Sequence, residues 1–90
     1  MGHSSDELAL LRAARVLLGL RQDELADRAG VSRQMIVRIE NGDLGVSLRT
    51  VEKVRTALEI GGIQFVPETD SRTRAIGLTK RDSRRGLPEK

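Results

Sequence analysis

The segment Gln22–Gly42 reads QDELADRAGVSRQMIVRIENG, and its spacing decides the fold. Its first part, Gln22–Ala29, places leucine and alanine on one side of a short helix. Gly30 follows, and glycine accepts the positive φ of a tight turn without strain. Ser32 is a good N-cap for a second helix that ends at about Glu40, before an Asn-Gly pair. The segment therefore predicts two short helices joined by a tight turn.

The apolar residues of this segment have distinct packing roles. Ala26 is small, which allows the second helix to cross close to the first. Val31 is placed to fill the angle between the helices, and Ile36 and Ile39 are spaced to anchor the second helix to the body of the protein. This combination predicts a helix-turn-helix.

The outward positions of the second helix carry side chains suited to DNA. They are Arg33, Gln34, Val37 and Arg38. In a major groove, arginine reads guanine and glutamine reads adenine. A solvated polar face is the plainer interpretation, because charged helix residues are usually exposed. Val37 is predicted to point at solvent, where it either contacts a thymine methyl group or is incidental.

Two further helices complete a mainly α fold, predicted as a compact four- to five-helix bundle. Helix 1 is predicted from about Asp6 to Leu18 with Ser5 as N-cap, and helix 4 follows Ser47 to about Leu58. Leu48 begins the apolar stripe of helix 4. The predicted core consists of apolar residues at helical spacing: Leu8, Leu11, Leu18, Leu20, Leu25, Ile36, Ile39, Val51, Val54 and Leu58.

The composition changes after Gly61-Gly62. Ile63–Val66 alternates β-branched and aromatic residues and is predicted to be a strand that ends at Pro67. Residues 75–80 alternate again, so a hairpin is an open alternative to a single strand. The predicted organisation is a flexible leader over residues 1–5, a helix-turn-helix domain over 6–60, a β extension over 61–80 and a disordered basic tail over 81–90.

Composition excludes several classes of function. The chain of 90 residues has no cysteine and one histidine, His3, so thiol chemistry, histidine-based catalysis and a metal site are not expected. No apolar run approaches the roughly 18 residues of a membrane span, and no signal peptide is visible. We therefore expect a cytoplasmic protein that is not an enzyme and has no cofactor or small-molecule ligand.

Charge is distributed unevenly along the chain. Residues 1–66 carry 9 basic and 9 acidic groups, whereas residues 67–90 carry 7 basic against 4 acidic. From Arg28 to Arg55 there are 6 basic groups against 3 acidic, so the middle of the chain leans positive. For a nucleic-acid partner, the distribution of charge along the chain is more informative than the net charge of +3.

From Leu8 to Val66 the chain resembles the Cro/repressor-type (XRE-like) helix-turn-helix family of bacterial and phage DNA-binding regulators. The resemblance covers about two thirds of the chain. The matching motifs are Gln22-x-x-Leu25-Ala26, Gly30-Val31-Ser32 and Ile39-Glu40-Asn41-Gly42.

The resemblance implies roles for particular residues. It implies that Gln22 binds a DNA phosphate, that Asn41 lies near the DNA backbone, and that Arg15 and Glu40 form a structural pair. It implies operator contacts for Ser32, Arg33, Gln34 and Arg38. Arg49 is expected to add a phosphate contact. Two residues depart from the pattern: Arg21 replaces the usual capping residue, and Asp43 lies in a loop that is often basic.

The strand after Gly61-Gly62 is similar to a β extension that pairs between subunits in related antitoxins. We therefore expect a homodimer with Ile63, Phe65 and Val66 at or beside its interface. The expected function is a repressor that binds a palindromic operator in double-stranded DNA. The alternatives are an antitoxin that binds a toxin and represses its own operon, and a helical protein-interaction module without a DNA role.

Overall fold

The mainly helical fold predicted from the sequence is confirmed by a computed structural model, which describes residues 4–66 and 77–80. Within these ranges the elements are α1 (Ser5–Leu18), α2 (Gln22–Ala29), α3 (Arg33–Glu40), α4 (Leu48–Ile60), β1 (Ile63–Val66) and β2 (Gly77–Lys80). The first residues of the predicted leader, Pro67 and the predicted tail lie outside the described residues.

Three of the four helices begin at a serine whose hydroxyl accepts a backbone hydrogen bond. Ser32 Oγ accepts from Met35 N at 3.2 Å, and Ser47 Oγ accepts from Thr50 N at 3.1 Å. The predicted start of α1 was wrong by one residue, because Ser4 is the N-cap and Ser5 is already helical. Either serine could cap the helix with its hydroxyl, but it is Ser4 Oγ that accepts the hydrogen bond from Glu7 N.

The start of α2 has half of a capping box. Glu24 Oε1 accepts a hydrogen bond from Arg21 N at 2.8 Å, as the sequence predicted. The reciprocal bond needs an acceptor on the N-cap side chain, and the guanidinium of Arg21 has only donors. The Glu24 bond and the acidic first turn stabilise this end of the helix.

The helices enclose one apolar core that includes most of the predicted residues. Leu48, predicted on the apolar stripe of helix 4, is instead 47% exposed in the first turn of α4, while Val46 from the preceding loop is buried. Leu18 and Leu20 are partly buried and pack against the core. The fully buried set is Leu8, Leu11, Ala14, Leu25, Ala26, Ile36, Ile39, Val46, Val51, Val54, Ala57, Leu58 and Ile63.

The C-terminal segment forms an antiparallel hairpin. β1 pairs with β2 in a register that runs from Ile63 opposite Lys80 to Val66 opposite Gly77. The strand predicted at Ile63–Val66 is thus present, and the second strand, which the sequence left open, lies at Gly77–Lys80. Ile63 is 1% exposed, and the Arg55 guanidinium carbon lies 4.7 Å from the centroid of the Phe65 ring. Both contacts tie the hairpin to the helical body.

Candidate nucleic-acid interface

The turn between α2 and α3 sets the angle of the two-helix unit. Gly30 has a φ of 71°, a left-handed conformation that favours glycine. Val31 N donates to Ala26 O at 3.1 Å, and the Val31 side chain is partly buried against the core. The backbone of the turn and the Val31 side chain therefore fix α3 relative to α2. The sequence predicted this role for Val31, between the two helices.

The outer face of α3 presents polar side chains to solvent. Ile36 and Ile39 are each 1% exposed and hold the inner face of the helix. Arg33, Gln34 and Arg38 are exposed on the other side. Val37, expected to point at solvent, is instead half-buried, because its position lies at the border between the two faces.

A bidentate ion pair joins α1 to the end of α3. Arg15 Nε lies 2.6 Å from Glu40 Oε2, and Arg15 Nη2 lies 3.0 Å from Glu40 Oε1. Arg15 Nη1 also donates to the carbonyl of Leu20 at 2.7 Å. The side chains of Arg15 and Glu40 are only 14% and 6% exposed, so the pair is shielded from solvent. This geometry is the pair that the resemblance implied.

Gln22 connects this ion pair to the start of α3. Its Nε2 donates to Glu40 Oε1 at 2.9 Å, and its Oε1 accepts from Arg33 Nη2 at 3.3 Å. Four side chains from three helices thus form one polar network, which we call the Glu40 network: Arg15, Gln22, Arg33 and Glu40. The resemblance implied the pair of Arg15 and Glu40 but not its link to Gln22 and Arg33, because nothing in the local pattern relates residues 18 positions apart.

Arg38 has an acidic partner in the loop after α3. Its Nε donates to Asp43 Oδ2 at 2.8 Å, and Asp43 Oδ1 accepts from Gly45 N at 2.8 Å. The hydrogen bond from Arg38, followed by that from Gly45, holds the pKa of the Asp43 carboxyl below its ordinary value of 3.8. Asp43 is the departure expected from the sequence, but its pairing with Arg38 was not predicted.

The remaining predicted contact residues lie in different places. Ser32 and Asn41 are exposed at the two ends of α3, where they are its N-cap and C-cap. Arg49 is exposed on α4 and lines an open groove of about 450 Å³ with Arg28 and Lys53. Within the described residues, no hydrogen bond joins Arg49 to α3.

The described part of the chain contains no group of three or more His, Asp or Glu side chains placed to hold a metal ion. None of its helices is long and apolar enough to cross a membrane.

The fold and the exposed face of α3 define a helix-turn-helix domain. The helix-turn-helix family matches residues 11–62, which is more than half of the chain. The chain therefore belongs to this family, in its XRE-type form, whose members are DNA-binding regulators of transcription. A protein of Methanothermobacter thermautotrophicus, described as an uncharacterized HTH-type transcriptional regulator, is 45% identical over 49 residues. The match covers 54% of this chain and 71% of that relative.

Proposed function

We propose that the chain is a sequence-specific transcriptional repressor that inserts α3 into the major groove of a palindromic operator. One observation carries the proposal: Arg33, Gln34 and Arg38 are exposed along one side of a helix whose other side is anchored by buried isoleucines. These side chains have the donors and acceptors that discriminate base pairs in the major groove. A helix face that contacts only solvent would not require these base-reading side chains next to the turn between α2 and α3.

The helix N-termini supply the sequence-independent part of the proposed binding. Gln22 is the first residue of α2, and Ser32 precedes α3, so backbone N–H groups and the positive ends of two helix dipoles are available there. Arg49 adds an exposed cation on α4. Phosphate contacts of this type fix the register of a protein on DNA without reading sequence.

A homodimer is part of the proposal, because one recognition helix reads only a few base pairs. Two such helices about 34 Å apart would read the two halves of a palindrome. Within the described residues, the two-stranded sheet leaves one edge of β1 without a strand partner, and such an edge is a template for pairing. Ile63 is already buried in its own chain, so the proposed contact at Ile63, Phe65 and Val66 uses mainly the strand edge and Phe65.

Selection from a random DNA pool at stated salt tests the proposal. The wild-type protein should enrich one palindromic sequence. Arg33→Ala should cost about 1–3 kcal/mol on that sequence and relax the preference at one base pair. Arg49→Ala should weaken binding to all sequences alike. Arg12→Ala removes an exposed arginine from α1 and serves as the matched control, with no change in preference.

Salt dependence and stoichiometry complete the test. The logarithm of the binding constant should fall by roughly 0.9 per neutralised phosphate for each unit of log salt. Sedimentation of the full chain should give a dimer, with weaker binding to a single half-site. A flat salt response with no enriched sequence would favour the protein-interaction alternative. A monomer that binds one half-site as tightly as the palindrome would overturn the dimer.

The antitoxin alternative stays a prediction from the sequence, since it depends on a toxin partner that only copurification would identify.

A further inference from the structure

Asp43 makes two hydrogen bonds that link the recognition helix to the loop after it. One carboxylate oxygen accepts from Arg38 Nε at 2.8 Å, and the other accepts from the backbone N–H of Gly45 at 2.8 Å. Asp43 N in turn donates to Arg38 O at 3.0 Å, so the loop folds back directly onto Arg38. The carboxylate is therefore held in place from two sides.

This arrangement determines which donors of Arg38 remain for a ligand. The Nε–H group is taken by Asp43, while Nη1 lies 4.0 Å from the weak acceptor Met35 Sδ. The Arg38 side chain is still 45% exposed. Nη2 makes no hydrogen bond to the described residues, so the two terminal amino groups remain available to a ligand, on a guanidinium whose rotation Asp43 restricts. A guanine presents O6 and N7 as a matching pair of acceptors in the major groove.

We propose that Asp43 is a positioning residue that holds Arg38 for end-on, bidentate recognition of one guanine. The inference rests on the proposed function, because it assigns a specificity determinant to the same DNA-binding face. The proposal also explains why an acidic residue occupies this loop, where a basic residue would attract DNA more strongly.

Charge distinguishes this role from a phosphate contact by Arg38. The Asp43 carboxylate beside the guanidinium nearly cancels its charge, so the pair attracts phosphate weakly. The same carboxylate would repel a phosphate that approached Arg38 from the loop side. Arg33 differs, because it donates to the neutral amide of Gln22 rather than to a carboxylate. Asp43 therefore weakens the attraction of Arg38 for phosphate and, in return, holds its two terminal amino groups in a fixed position.

Asp43→Asn and Asp43→Ala test the proposal by selection from a random DNA pool, with Asp27→Asn on α2 as the matched control. Gly45 N and Arg38 Nε donate to different oxygens of Asp43, so in asparagine one of these two donors would face the NH2 group, which cannot accept. Both Asp43 variants should lose about 5- to 150-fold discrimination at a single G·C pair, the range for one bidentate contact. The slope of log K against log salt should become steeper by about 0.9 per subunit, because the released arginine of each subunit gains a phosphate.

A double-mutant cycle separates positioning from a general effect on the loop. If Asp43 acts through Arg38, Asp43→Ala should have no effect on discrimination in an Arg38→Ala background. Circular dichroism melting checks that each variant is folded. Unchanged discrimination in folded Asp43→Asn and Asp43→Ala would overturn the inference while leaving the proposed function intact. Failure of the wild-type protein to enrich any sequence would overturn both.

Discussion

Replacing Glu40 by glutamine should lower the free energy of unfolding by about 3 kcal/mol, because it leaves the shielded Arg15 guanidinium without a counterion. Breaking a buried pair in this way typically costs about 3–5 kcal/mol. The lower end applies here, since Arg15 keeps the carbonyl of Leu20 as an acceptor at 2.7 Å and the new amide oxygen can still accept one bond. A chain of this size is stable by only about 5–13 kcal/mol, so the loss is large.

Urea unfolding followed by circular dichroism at pH 7 measures the effect. With a slope of about 1–2 kcal/mol per molar urea, the midpoint should fall by about 1.5–3 M. Asp23→Asn is the matched control, because Arg21 and Asp23 form an ion pair whose side chains are largely exposed. An exposed pair contributes little, and the place of Asp23 in the first turn of α2 adds only a small dipole contribution, so the control should cost less than about 1 kcal/mol, well below the loss in Glu40→Gln.

A second variant separates the charge from the shape of the site. Arg15→Met combined with Glu40→Leu replaces the whole pair by apolar groups, and such replacements are often neutral or stabilising. The double variant should therefore recover most of the loss. A midpoint of Glu40→Gln close to that of the wild-type protein would refute the argument, as would a double variant no more stable than Glu40→Gln.

Three further perturbations have distinct expected outcomes. Gly30→Ala should cost about 1–2 kcal/mol in urea unfolding from backbone strain, since its φ is +71° and an added Cβ would meet nothing within 4 Å. Ile63→Ala should cost about 2–5 kcal/mol, whereas Ile60→Ala, at an 80% exposed position, should stay within about 0.5 kcal/mol. Asp43 has a lowered pKa because Arg38 donates to it, so the pair is present above pH 3.8 and is lost as the pH falls below that value. The Arg38 Nε–H resonance should titrate only in that acidic range, and Asp43→Asn should abolish the titration.

Local signals explain why the helices could be predicted from the sequence. Ser32 and Ser47 cap the helices that follow them, and Gly30 adopts the positive φ that a turn there requires. These features depend on a few neighbouring residues, so periodicity and capping rules identify them. The predicted N-cap of α1, Ser5, was wrong because Ser4 and Ser5 have the same hydroxyl side chain. Only the hydrogen-bond geometry shows which of the two caps the helix.

Contacts between distant parts of the chain explain what could not be predicted. Val46 enters the core from a loop, so helical spacing gives no indication of its burial. The bond from Gln22 to Glu40 and the pairing of Arg38 with Asp43 depend on how α2, α3 and the following loop pack together. Composition and periodicity do not contain that information.

The Glu40 network also couples the stability of the fold to the geometry of recognition. α3 has two buried residues, Ile36 and Ile39, so polar contacts at its ends restrict its rotation about its own axis. One oxygen of Glu40, Oε1, accepts from both Arg15 and Gln22, and Gln22 in turn accepts from Arg33 on the exposed side of α3. A change at Glu40 therefore disrupts the shielded ion pair with Arg15 and, at the same time, the hydrogen bond that holds Gln22 against Arg33. Stability and base preference should accordingly change in parallel across variants of Glu40, whereas variants of Asp43 should alter base preference with little change in stability.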